Sequence, residues 1–102
     1  MLYAVTLTYI RPAEDIDAHL GTHRDWLLQH IRSGHILAAG PLEPRVGGLV
    51  LLRCSSRAEL DQVLALDSFH LHGLVDREVR AFEPALRAAA FPADWAPGSK
   101  AP

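Results

Sequence analysis

The stretch LYAVTLTYIRPAEDIDAHLGTHRDWLLQHIRS, residues 2–33, decides the fold, because the hydrophobic period changes inside it. Residues 2–9 are rich in β-branched and aromatic types and read as a strand whose alternation is blurred by burial. Arg11-Pro12 breaks it. From Glu14 to Ser33 the period becomes helical: Ile16, Leu20, Leu27 and Ile31 fall on one stripe at roughly 100° per residue. His23 falls inside that stripe, and His19, Trp26 and His30 lie toward one flank. Glu14, Asp15 and Asp17 occupy the first turns, where the helix dipole favours acids. Gly34 suits a C-terminal cap, whereas Gly21 weakens the helix from within.

Outward from this unit the pattern continues. Residues 35–40 are a short apolar run ended by Gly40-Pro41, and the loop 42–46 leads to Gly47-Gly48. Leu49 to Cys54 then reads as a strand apolar on both faces. Ser56 with Glu59 three residues on is a capping box, opening a helix that runs to about Leu66. Asp67 to Gly73 connects it to a last strand, Leu74 to Phe82. Residues 85–90 are Ala-rich and suit a short helix, and residues 91–102 hold Pro92, Pro97, Gly98 and Pro102, the composition of a frayed tail. The division expected is a domain over 1–90 and a tail over 91–102. The order β-α-β-β-α-β is the ferredoxin-like arrangement, an α+β fold with an antiparallel sheet and two helices on one face. The other face of such a sheet is left bare. A homodimer packing sheet against sheet is the economical way to cover it.

Composition sets the bounds. The chain has 102 residues, 49% of them hydrophobic and 22% charged, enough for one compact domain. No apolar run approaches the roughly 20 residues of a membrane helix, and the N-terminus has no basic region of the kind that opens a signal peptide. Ten basic residues are dispersed against twelve acidic ones, for a net charge of -2, so neither nucleic acid nor a membrane surface is an expected partner. The single Cys54 has no partner for an internal disulfide and reads as a small buried hydrophobe. A reducing, cytoplasmic location is expected.

The six histidines carry most of the functional information. Two readings of His23 stand side by side: a core-edge side chain bonded to a backbone carbonyl, or a group exchanging protons near neutral pH. Asp67, where the second helix gives way to a loop, is either a turn former or a functional carboxylate. His70-x-His72 follows it. With His23 this pair has donor types suited to zinc, and His19 and His23 are four apart on a helix. The acidic residue of the zinc-protease motif is missing, however, and surface histidines are the plainer reading. Gly47-Gly48 has no Gly-Lys-Ser/Thr continuation and reads as turn chemistry rather than a phosphate loop.

In their order and spacing these residues resemble the YCII-related family. The resemblance covers about residues 1–84 and rests on the Met1-Leu2-Tyr3 opening, His23, Gly34, Ala39-Gly40-Pro41, Gly47-Gly48, Asp67-Ser68-Phe69, Gly73, Val79 and Phe82. It implies a ferredoxin-like domain that pairs as a dimeric α/β barrel, with a His–Asp pair in a cleft that falls on His23 and Asp67. One group of the family dehalogenates a chlorinated hydroxyquinol, which implies proton transfer with no cofactor. Where the family usually has Pro after the aspartate, this chain has Ser68. The function expected is a small cofactor-free enzyme, lyase-, isomerase- or dehalogenase-like, acting on a small aromatic molecule. His23 and Asp67 are its expected catalytic pair, Trp26, Phe69, His70 and His72 its substrate contacts, with no metal ligand. The alternative is a non-catalytic small-molecule-binding or accessory dimeric domain.

Overall fold

The computed structural model describes residues 1–102. Its elements are β1 (Leu2–Tyr9), α1 (Ala13–Ala18), α2 (Leu20–Arg32), β2 (Ile36–Pro41), β3 (Gly47–Arg53), α3 (Arg57–Ala65), α4 (Ser68–Leu71) and β4 (Val75–Phe82), followed by a 3₁₀ turn at Ala93–Trp95. The strands form one antiparallel sheet in the order β2-β3-β1-β4. This is the expected ferredoxin-like α+β architecture, with each of the two helices divided in two.

The apolar β1 takes the central place. Val5 lies opposite Val50 on one side and Val79 on the other, and Tyr3 lies opposite Leu52 and Ala81. Directly opposed residues share a face, so Tyr3, Val5, Leu7, Val50 and Leu52 point together toward the helices. Ile16, Trp26, Leu60, Leu64 and Phe69 meet them there in one core cluster. All the helices therefore lie on one face of the sheet. Ala4, Thr6, Leu49 and Leu51 point to the other.

The divisions of the helices have local causes. His19 leaves helical geometry at φ -114°, ψ 9°, ending α1 and starting α2, and Gly21 just beyond adds little helix propensity to hold the two together. The second division falls at Asp67. Expected as the end of a helix, it is extended (φ -68°, ψ 126°) and caps the N-terminus of α4, its side chain accepting from Phe69 N. The capping box at Ser56 forms on one side only: Ser56 Oγ accepts from Glu59 N, while the Glu59 carboxylate accepts from Ser55 N and Ser55 Oγ.

The rotation of the first helix pair differs from the expected stripe. Its buried residues are Ile16, His23, Trp26 and His30, whereas Leu20, Leu28 and Ile31 remain substantially exposed. The apolar stripe read from sequence is thus not the core face of α2. The C-terminal segment also differs. Residues 85–90 form no helix. Leu86 instead bridges Lys100 in parallel, with Arg87 N donating to Lys100 O and Lys100 N to Ala85 O, both at 2.9 Å. Phe91 meets Trp95 edge-on and Ala96 is buried, so the segment expected to fray is hydrogen-bonded back on itself.

Candidate active site

His23 comes from the first half of α2 and Asp67 from the start of α4, and packing of these two helices brings them together across 44 residues of sequence. His23 Nδ1 donates to Asp67 Oδ1 at 2.6 Å, and the same oxygen accepts from Phe69 N at 3.1 Å. Asp67 is 1% exposed. A buried carboxylate needs donors to offset its lost hydration, and here the capping N–H and the imidazole N–H supply them. An acceptor-only carboxylate at Nδ1 puts the ring proton there. Nε2 is left free, makes no bond within the chain, and is not among the sealed unpartnered atoms.

Packing fixes the ring. His23 stacks on Phe69 with centroids 3.9 Å apart and planes 3° from parallel, and the Trp26 ring centroid lies 5.7 Å from it. Trp26 Nε1 donates to Val63 O at 2.9 Å, tying α2 to α3. Ser68, where the resemblance leads one to expect Pro, takes the first position of α4. Thr22 Oγ1 donates to Ser68 Oγ at 2.9 Å and Ser68 Oγ to His19 O at 3.3 Å. Asp67 already has the extended backbone that a following Pro would impose, so hydrogen bonds to the α1–α2 junction replace the ring in aiming the carboxylate.

His23 opens onto a cleft of about 370 Å3 between α2 and the sheet. The helical wall is Leu20, His23, Arg24, Leu27, Leu28 and Ile31, spaced i, i+3, i+4, i+7, i+8 and i+11, which is one stripe. That is why an imidazole stands in an apolar stripe: the stripe faces a cavity rather than the core. On the sheet side Gly40, Gly47 and Gly48 line the cleft. A Cβ on Gly47 would sit 1.8 Å from Leu7 O, so no other residue fits there, and one on Gly48 would sit 3.3 Å from Gly40 O. The pair read as turn chemistry is therefore part of β3 and of the cleft wall.

The remaining sequence candidates separate by place. Phe69 lines the cleft with His23, and Asp67 lies directly behind. Trp26 is buried behind the histidine and does not reach the cavity. His70 and His72 are exposed outside it, and His72 stacks on His19 at 3.9 Å. No three His, Cys, Asp or Glu side chains are grouped to hold a metal ion. Cys54 is buried, and desolvation followed by the Glu59 charge pushes its thiol up to about 11, so it supplies no thiolate near neutral pH. The cleft also holds Tyr9, Arg24 and Arg45, which the sequence did not single out. Arg24 was legible as the i+4 neighbour of Leu20 on the stripe, but Arg45 lies in a loop with no pattern to mark it.

Comparison with known proteins agrees with the fold. The family model for the YCII-related domain matches residues 1–83. The chain belongs to the YCII-related family. Among solved structures, this YCII-related chain is similar to 5-chloro-2-hydroxyhydroquinone dehydrochlorinase from Burkholderia phenoliruptrix AC1100, determined in complex with 2,5-dihydroxybenzoquinone. The TM-score is 0.70 at 18% identity, over 82% of this chain and 95% of that one. At that identity the likeness is one of fold. No curated protein matches the chain.

Proposed function

We propose that this YCII-related protein is a proton-transfer enzyme acting on a small aromatic molecule, with His23 as general acid or base and Asp67 as the residue that orients it. The observation that carries the reading is the 2.6 Å bond from His23 Nδ1 to a buried carboxylate, on a histidine that also lines a cleft. The carboxylate holds one tautomer and leaves Nε2 to take a proton from a substrate carbon or hydroxyl, or to return one. The cleft is the size of small-ligand pockets, which begin near about 300 Å3, and Phe69 and the leucines of α2 give a ring an apolar seat. Lyase, isomerase and dehalogenase reactions all share that proton transfer. The solved neighbour's dehydrochlorination of a hydroquinone supports this choice of substrate class.

We also propose that the chain works as a homodimer paired through the bare sheet face. Its support is the apolar strip of Ala38, Leu49 and Leu51 on the side away from every helix.

The test is turnover. The protein is incubated in D2O with 5-chloro-2-hydroxyhydroquinone and with unchlorinated hydroquinones, and chloride release and deuterium incorporation at ring carbons are followed. The wild type is expected to catalyse one of these, and His23→Gln and Asp67→Asn to lose about 10²–10⁴ of the rate while staying folded. Nitrogen-15 NMR should show His23 as the Nδ1–H tautomer in the wild type, but not in Asp67→Asn, whose amide can donate. Undiminished turnover in His23→Gln would overturn the assignment. Binding with no chemical change in the recovered compound would leave a small-molecule-binding domain instead.

A further inference from the structure

The charged side chains that line the cleft are all basic. They are Arg24 from α2 and Arg45 from the loop before β3, and no Asp or Glu lines it. This is a local inversion in a chain of net charge -2. Neither arginine is spoken for. Five ion pairs form across the molecule and none includes them. Where an acid is within reach, arginines of this chain do pair: Arg57 meets Asp61 at 3.0 Å and Arg80 meets Glu78 at 2.8 Å. Arg24 has only Leu20 and Leu28 at i-4 and i+4, so no acid shares its face of the helix.

We propose that the cleft recognises an ionised acid group on a small apolar body, with Arg24 and Arg45 as the anion-binding residues. The proposal rests on the reading of this cleft as the substrate site and names the class of substrate it takes. A guanidinium offers a planar fork of N–H donors that matches a carboxylate or an ionised enol. Leu20, Leu27, Leu28 and Ile31 line the same helical wall and give the apolar body a seat beside Arg24. Arg24 directly follows His23 on the same stripe. An anion held there sets the adjoining carbons against the imidazole and fixes which part of the ligand meets Nε2.

The experiment uses sodium benzoate and benzamide, near-isosteric probes that differ in charge, titrated into nitrogen-15-labelled protein. Benzoate is expected to shift amides of α2, Gly47 and Gly48, with benzamide about tenfold weaker or worse for lack of the charge-assisted bonds. Arg24→Gln and Arg45→Gln, both at exposed positions, are each expected to weaken benzoate about tenfold and to leave benzamide unchanged. Equal affinity for the two probes in the cleft, or benzoate binding indifferent to both substitutions, would overturn the anion proposal while leaving the cleft as a ligand site. If neither probe shifted the cleft amides, the reading of the cleft itself would fail, and the proposal with it.

Discussion

His30 shows how a single side chain can set the acid response of the molecule. It is buried on α2 between Trp26 and His35, and neither ring nitrogen has a hydrogen-bond partner. Desolvation, and then the neighbouring His35 charge, lower its pKa below the ordinary 6.5. The folded state therefore binds its proton less readily than the unfolded chain, and the unfolded state gains from protonation first as the solution is acidified. The stabilisation from keeping His30 neutral is complete above about pH 6.5 and is lost as the pH falls from there toward the folded-state value. His30→Leu removes both orphaned nitrogens, and with them a penalty of about 1 kcal/mol or more. Urea unfolding at pH 7.5 and 5.5 should find the variant more stable at both, by a margin that widens at the lower pH. A constant margin would mean that His30 does not titrate in this window. The contrast with His23 is instructive. Both are buried histidines on one helix, seven residues apart. Only the arrival of Asp67 from a distant helix gives one of them a partner.

At the scale of elements, α4 matters most, although it is four residues long. The capping bond to Phe69 N holds the Asp67 carboxylate where His23 can meet it. Ser68 N makes no backbone bond, as befits the first position of a helix, so proline is compatible with the backbone there. Ser68→Ala loses the Oγ bonds to Thr22 and His19 and should cost about 1 kcal/mol. Ser68→Pro loses the same bonds but restricts the unfolded chain, which returns about 0.4–1 kcal/mol. Thermal unfolding should therefore rank wild type and Ser68→Pro close together, with Ser68→Ala below both. If the proline variant were the least stable, the ring itself would strain the turn, since both variants lose the same hydrogen bonds. The α4 helix was not legible beforehand, because four residues carry no period and Asp67 looked like the end of α3 rather than the start of something. The strands, by contrast, were read to within two residues at each end, since β-branched runs between Gly and Pro leave little choice. The helical stripe on α2 was also read correctly as a stripe. What the sequence withheld was its direction, because Leu20, Leu27 and Ile31 make an equally good wall for a core and for a cleft. For the same reason the sequence pattern puts Trp26, the residue that does reach the core, on the flank.

At the scale of the whole molecule, the two faces of the sheet are unequal. One is covered by four helices, and the other carries Ala4, Thr6, Ala38, Leu49 and Leu51, with charge on the outer strand β4 at Asp76, Glu78 and Arg80 and at Arg53 where β3 ends. Leu49 is 42% exposed, at the rim of the cleft as well as on this face. A second copy laid against the strip would bury it and put protein beside the cleft mouth, so that assembly and ligand binding share a border. Leu51 stands in the middle, opposite Ala4 on one side and Ala38 on the other. Placing an arginine there would bury an unpaired cation, at a cost of several kcal/mol, so Leu51→Arg should weaken a dimer by about a hundredfold or more. The side chain points away from the helical core, so the variant should keep the wild-type circular dichroism spectrum. Light scattering on the eluting peak should give twice 11.2 kDa for the wild type, and the single-chain mass for Leu51→Arg at the same micromolar concentration. A wild type at single-chain mass would show that the face stays bare. A dimer indifferent to Leu51→Arg would place the contact elsewhere, with the outer strand β4 the next surface to substitute.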